Sequence, residues 1–369
     1  MRILIPTVDY PPIEGGISTV TLQVSRELAR QGHVVTVLAP YFPDMESFDD
    51  DEVITVVRYP GYDLGWGRLI PFLRTGRPLL KECDLIIGIN VAYAGVLARF
   101  SNVPYVMLAY GYEFLKFQRT PIVSGLFRSI YAHAAGCIAI SNYTRSALGH
   151  FGVNPASITL AHPGTAPAQD VDPQHIQGFR NEFDIGDGPI ILAVGRFISR
   201  KGHEVLIQAM PHILENVPTA QLVLVGRGPT RDDCIARIKS ANIEANVHCP
   251  GYLDDHALAA LYAHCSVFAL PTSEEEGGQV EGFGLVFTEA HAYAKPVVAG
   301  RSGGVSDAVL HEETGLLVNG ENAVAVGDAI LRILQNPAFA RSLGEAGRKR
   351  VEEELNWERF TAAILGCVE

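Results

Sequence analysis

Residues 2–40 read RILIPTVDYPPIEGGISTVTLQVSRELARQGHVVTVLAP, and the order of apolar run, glycine pair and helical repeat in them decides the fold. Arg2-Ile-Leu-Ile-Pro6 is an uninterrupted apolar run of the kind that makes a strand buried on both faces. A turn holding Gly15 and Gly16 follows. From Ser18 to Arg30, Val20, Val24 and Leu28 recur every four residues and give one helical face an apolar stripe. Gly32 stops that helix, and Val34-Val-Thr-Val-Leu-Ala39 begins the next strand, which completes a βαβ unit.

The alternation continues outward from this unit. Further strands are expected at 53–59, 85–89, 104–109, 136–140 and 157–161, with enough chain between them for crossover helices, so a parallel sheet covered on both faces results. Residues 164–189 then turn rich in Gly, Pro and Asp and read as a connection enclosing one short helix at 173–182. After it the pattern restarts, with strands beginning at Ile190, Leu222, Val247, Val267 and Val297 and helices over 202–215 and 285–294. The expected organisation is an α/β domain over 1–165, a connection over 166–188 and a second α/β domain over 189–355. No repeat of fixed period links the halves.

Composition narrows the functional classes. The chain has 369 residues, 47% of them hydrophobic, and a net charge of −12, which suits folded domains and disfavours a general nucleic-acid binder. Residues 1–165 carry 13 basic and 13 acidic side chains against 16 and 28 in residues 166–369, so the whole negative excess sits in the second half. Within the neutral half, residues 66–128 hold eight cations against three carboxylates, a net of +5, interleaved with aromatics from Trp66 to Phe117. Such a segment suits an anionic membrane surface or a lipid-linked acceptor. Pro71 and Pro78 argue against a continuous amphipathic helix there, and its Leu and Phe residues equally fit a core. The longest nearly uncharged stretch, Leu85 to Ala98, is too short to span a bilayer, so membrane contact would be peripheral. The six cysteines fall singly, without metal-ligand spacing, and read as reduced thiols of a cytoplasmic protein.

The chemistry concentrates in domain two. Glu281-Gly-Phe-Gly-Leu-Val-Phe-Thr-Glu289-Ala places two carboxylates eight residues apart around a glycine loop that runs into an apolar helix. Free N–H groups at such a helix start favour phosphate or polar oxygens, and Gly282 and Gly284 let a ligand approach the backbone. With a helix starting near Gly282, Glu289 lies about two turns in. Alone, the pattern fits a loop before an ordinary surface helix almost as well. Val194-Gly-Arg196-Phe-Ile-Ser-Arg-Lys201-Gly202 leaves the C-terminal end of the domain's first strand, where open α/β sheets bind ligands. Arg196 and Lys201 would both neutralise a diphosphate there, with Arg200 a less favoured substitute, and on its own the segment fits a solvated turn whose charges serve solubility equally well.

These segments resemble the retaining glycosyltransferases of family 4, which have the GT-B fold. The order of Leu224-Val-Gly-Arg-Gly-Pro229, Ala269-Leu-Pro-Thr-Ser273, Lys295 to Gly304 and Thr314-Gly-Leu-Leu-Val318 extends the likeness over nearly all of domain two. The resemblance implies two Rossmann-like doubly wound domains facing across a cleft, with the C-terminal segment 356–369 forming a helix that crosses back to the first domain. It implies that Glu281 touches donor-sugar hydroxyls, that Glu289 binds the nucleotide ribose, and that Arg196 and Lys201 hold the departing diphosphate. The backbones of Phe283 and Gly284, and of Gly15 and Gly16 in domain one, would approach the sugar and phosphates. The family commonly carries a histidine after the strand ending at Ala109, where this chain has Tyr110-Gly-Tyr112-Glu113. Those three side chains are the acceptor-side candidates. Tyrosine is a poor base near neutrality, so no general base is assigned and the departing diphosphate would take the acceptor's proton.

The expected activity is transfer of a hexosyl group, with retention and without a metal or other cofactor, from a nucleoside diphosphate sugar to a glycan or lipid-linked acceptor. The loop Ser273 to Val280 resembles that of mannosyltransferases and tilts the donor towards GDP-mannose. The place of action would be the cytoplasm or the inner face of the membrane. A nucleotide-sugar epimerase or hydrolase, or a silent nucleotide-sugar binder, are the alternatives.

Overall fold

The computed structural model describes residues 1–42, 49, 53–61, 67–275 and 277–368. Trp66 of the basic segment and Glu276 of the loop before Glu281 lie outside them. The chain forms two compact units, Met1–Gly164 with Asn356–Glu369, and Thr165–Leu355.

In the first unit seven strands pair in parallel: β1 (Arg2–Pro6), β2 (Val34–Pro40), β3 (Thr55–Tyr59), β4 (Leu85–Gly88), β5 (Tyr105–Ala109), β6 (Gly136–Ala139) and β7 (Ile158–Leu160). Their spatial order, β3-β2-β1-β4-β5-β6-β7, reverses direction between β1 and β4. The Ile, Leu and Val runs of the central strands are buried on both faces, as parallel sheets require. The helix Gly16–Arg30 buries Val20, Val24 and Leu28, the stripe read from the sequence. It packs against the last helix, Trp357–Leu365, and Gln31 Nε2 donates to Thr361 Oγ1 at 2.8 Å. Gly164 makes room for this return, because a Cβ there would meet the backbone of Asn356 and Trp357.

The proline argument about the basic segment is corrected. Leu69–Leu79 is one continuous helix. Pro71 falls in its first turn, where no N–H is needed, and Pro78 in its last, where only one terminal bond is lost. Phe72 anchors this helix, fully buried with its ring edge-on to Tyr59 and Tyr93 at 5.2 and 5.7 Å.

In the second unit β8 (Ile190–Val194), β9 (Gln221–Val225), β10 (Val247–Gly251), β11 (Val267–Leu270), β12 (Val297–Gly300) and β13 (Gly315–Val318) form a parallel sheet in the order β10-β9-β8-β11-β12-β13. The order reverses between β8 and β11, so the loops leaving these neighbours run to opposite sides and open a crevice at their C-terminal ends. Both sheets are doubly wound. The short helix Pro173–Glu182 lies in the Gly/Pro-rich connection. No helix among the described residues is long and apolar enough to cross a membrane.

Candidate active site

The crevice at the β8/β11 reversal holds the charged residues singled out above. After β8 the chain passes Arg196, makes a single turn of 3-10 helix at Ser199–Lys201 and enters the helix His203–Asn216. After β11 it runs through Pro271 and the loop bridged by Glu275 and Gln279 to Glu281 and the helix Leu285–Ala292. That helix starts three residues later than Gly282, so Glu289 stands little more than one turn in, not two. Gly284 is the reason. Its φ of 95° is open to glycine at little cost and ends the loop, and no side chain caps the first N–H groups of the helix. The Phe287 N–H bonds the Gly284 carbonyl at 3.1 Å, which leaves those of Leu285 and Val286 to a ligand anion.

Three charges meet on one oxygen. Lys201 Nζ donates to Glu281 Oε2 at 2.6 Å, and an Arg200 guanidinium N–H donates to the same atom at 2.9 Å. The side chains of Arg200, Lys201 and Glu281 are only 12%, 11% and 14% exposed, so water screens them weakly. Burial alone would raise the Glu281 carboxyl; the Lys201 and Arg200 cations overcome it and hold the group below the usual carboxylate range. The loop is pinned as well. Gly304 N–H donates to the Glu281 carbonyl at 2.8 Å, and Gly303, at φ 52°, presses so close to that oxygen that a Cβ would strike it.

Glu289 is held differently. The Tyr262 hydroxyl donates to its Oε2 at 2.9 Å, and the Tyr262 ring stacks on Tyr293 at 5.8 Å. Burial raises the Glu289 carboxyl, the Tyr262 hydrogen bond opposes this, and Asp255 adds to it. Phe283 and Gly284, within this loop, are buried. Arg196, by contrast, is exposed and its side chain makes no hydrogen bond or ion pair among the described residues, so its guanidinium is uncommitted beside the crevice. The ends of β9 and β10 add Arg227, whose guanidinium lies 5.0 Å from the centre of the half-exposed Tyr252 ring.

The sequence reading ranked Arg200 as a substitute, yet Arg200 is the one that joins Lys201 on Glu281. Tyr262 carried no signal, since its distance of 27 residues from Glu289 gives no hint of contact. Asp254 caps the helix Asp255–His264, with Oδ1 accepting from Ala257 N–H at 2.8 Å.

In the first unit Gly15 and Gly16 stand at the start of the helix Gly16–Arg30, again without a side-chain cap. The acceptor-side candidates follow β5. The Tyr110 N–H donates to Glu113 Oε1 at 2.7 Å, and the Tyr110 hydroxyl is buried with no hydrogen-bond partner among the described residues. Burial pushes the Glu113 carboxyl up to about 7, against the Tyr110, Glu113 and Gly111 N–H groups and the Lys116 charge that favour its ionised form. Tyr112 is 43% exposed, with Lys116 Nζ 5.4 Å from its ring centre.

Two family models match in tandem, Glycosyltransferase Family 4 over residues 14–169 and Glycosyl transferases group 1 over residues 176–350. Over 98% of its length the chain is 30% identical to a GDP-mannose-dependent alpha-(1-6)-phosphatidylinositol monomannoside mannosyltransferase of Mycobacterium tuberculosis, 97% of which is covered. The sucrose-phosphate synthase of Thermosynechococcus elongatus superposes with a TM-score of 0.77 at 27% identity, over 100% of this chain and 98% of that one. HepE of Anabaena, solved in complex with UDP and glucose, superposes with a TM-score of 0.82 at 18% identity, covering 100% of this chain and 99% of that one. The GT-B fold expected from the motifs is the fold the chain has.

Proposed function

Since the chain belongs to the glycosyltransferases of family 4 and group 1, we propose that it moves a hexosyl group, with retention and without a metal, from a nucleoside diphosphate sugar to a glycan or lipid-linked acceptor. GDP-mannose is the favoured donor, on the strength of the mannosyltransferase relative and the loop before Glu281. The observation that carries the reading is the Lys201–Arg200–Glu281 cluster beside an uncapped helix start at the strand-order reversal.

The chemistry follows from these groups. Glu281 orients the sugar by accepting from its hydroxyls, Glu289 accepts from the ribose, and the N–H groups of Phe283 and Gly284 face the sugar or diphosphate. As the bond from the anomeric carbon to the β-phosphate oxygen breaks, its electron pair stays on the diphosphate. Lys201 and Arg196 stabilise that charge, with the helix dipole adding to it. The acceptor oxygen bonds to the anomeric carbon on the face the diphosphate leaves, and its proton passes to the β-phosphate oxygen. Gly15 and Gly16 serve the donor phosphate, and Tyr110, Tyr112 and Glu113 serve the acceptor. Because Arg and Lys neutralise the leaving group, excess EDTA is expected to leave turnover unchanged; its abolition, restored by a divalent cation, contradicts the metal-free account.

The acceptor would be met at an anionic membrane on its cytoplasmic side. The helix Leu69–Leu79 and the turn after it line an open groove of about 510 Å³ with Ile70, Leu73, Arg74, Arg77, Pro78 and Lys81, three cations and no carboxylate. Ile70 is 74% exposed, which suits insertion between headgroups. The test of the whole reading is a thermal-shift screen with GDP-, UDP- and ADP-sugars, followed by product analysis with lipid-linked mannoside and glycan acceptors. Stabilisation by GDP-mannose and a glycosylated lipid product are expected. Sugar release or epimerisation without acceptor, or binding without nucleoside diphosphate release, contradicts it.

A further inference from the structure

Resting on that donor-site reading, we propose that Arg200 is a positioning residue: it keeps hold of the Glu281 carboxylate while Lys201 turns to the departing diphosphate. In the unliganded site Lys201 and Arg200 share one oxygen, Oε2 of Glu281, and no described group donates to Oε1. Oε1 is therefore the atom left for a sugar hydroxyl. A donor diphosphate competes with Glu281 for Lys201. Were Lys201 the sole partner, its departure would strand an unpaired carboxylate whose side chain is only 14% exposed, which is strongly unfavourable. A second cation on the same oxygen removes that penalty.

Arg200 is fastened to the loop it serves. Ser273 N–H donates to the Arg200 carbonyl at 2.9 Å, and Ser302 Oγ donates to the Ser273 carbonyl at 3.0 Å. Arg200 and Glu281 are thus tied through the backbone to one set of loops, whereas Arg196 is exposed and uncommitted. The division of labour follows: Arg196 and Lys201 act on the phosphates, and Arg200 acts only through Glu281. Among the described residues Arg200 and Lys201 are the ion-pair partners of Glu281, so once Lys201 turns to the diphosphate Arg200 is the cation left on that carboxylate.

The test compares Arg200→Met and Arg200→Lys with the wild type, using calorimetry with GDP and steady-state turnover of GDP-mannose with phosphatidylinositol monomannoside vesicles. Arg200→Met is expected to bind GDP within about 2-fold of wild type while kcat falls about 10- to 100-fold, the scale of a lost charged hydrogen bond. Its donor KM changes little, the acid limb of the kcat profile moves to higher pH, and Arg200→Lys restores most of kcat. GDP affinity that falls with kcat would make Arg200 a phosphate ligand and overturn the proposal, as would unchanged kcat. If Arg200→Met does not fold, Arg200→Gln takes its place: GDP affinity near wild type with the acid limb moved to higher pH supports the proposal, and an unmoved acid limb overturns it. Lys201→Met and Glu281→Gln run alongside; if neither affects turnover, the donor-site reading itself fails, a result distinct from failure at Arg200 alone.

Discussion

Replacing Lys201 by methionine removes an ammonium buried in the donor crevice while keeping most of its stem. In the free protein Nζ lies 2.6 Å from Glu281 Oε2, and at an effective dielectric of ~20 two unit charges ~4 Å apart attract by ~4 kcal/mol. Most of that is offset by desolvation, and Arg200 still pairs the carboxylate at 2.9 Å, so no unpaired charge is left behind. Methionine fills the space of the alkyl stem. Folding stability should therefore move by about 1 kcal/mol at most, or ~2–4 °C in Tm for a domain of this size. The transition state suffers more. Loss of a preorganised donor to the leaving diphosphate costs ~2.7–4 kcal/mol, or ~10²- to 10³-fold in kcat. Nucleoside diphosphate release from GDP-mannose with acceptor, measured beside thermal unfolding, separates the two effects. Turnover within about 3-fold of wild type at unchanged Tm would refute the leaving-group role; a large fall in Tm would refute the argument that Arg200 suffices for the carboxylate. Arg196→Met should also lower kcat by ~100-fold or more, with little change in Tm, because its side chain is exposed and makes no hydrogen bond or ion pair among the described residues.

Three further outcomes follow from the geometry. The raised Glu113 carboxyl, at about 7 against an ordinary 4.5, favours the folded state fully below pH ~4.5 and loses that contribution as pH rises through ~7, by about 3 kcal/mol; urea midpoints at pH 5 and pH 8 should differ in wild type and converge in Glu113→Gln. Gly303→Ala should cost more than ~2 kcal/mol in urea unfolding and lower turnover, because a left-handed backbone and a Cβ against the Glu281 carbonyl must both be accommodated; a wild-type midpoint and rate contradict the pinning of that loop. Arg74→Glu with Arg77→Glu should weaken flotation with anionic vesicles by at least ~10-fold, at ~1 kcal/mol per cation, and leave neutral vesicles unaffected; equal flotation of variant and wild type contradicts the membrane contact.

The strand-helix alternation was legible because buried parallel strands must be continuous apolar runs, and each of Ile3 to Ile5, Ile190 to Ala193 and Val297 to Ala299 is one. Arg196, Lys201, Glu281 and Glu289 stood out through spacing around glycines. Spacing cannot show partners. Arg200 lies 81 residues from Glu281, and only the closing of the β8 and β11 loops makes them neighbours. The helix start at Leu285 was legible from its apolar run; the alternative start near Gly282, from which Glu289 was counted, fails because only Gly284 takes the left-handed turn that begins the helix. Pro71 and Pro78 misled for a related reason: a proline breaks a helix in its interior, and both occupy terminal turns.

A crystal structure of the protein with GDP-mannose tests the central claim most directly. The account predicts Arg196 and Lys201 on the diphosphate, Glu289 within hydrogen-bond reach of the ribose hydroxyls, and Glu281 still paired with Arg200 while its other oxygen meets the sugar. A nucleotide bound away from the loop 281–284, or a diphosphate that leaves Lys201 on Glu281, would contradict it.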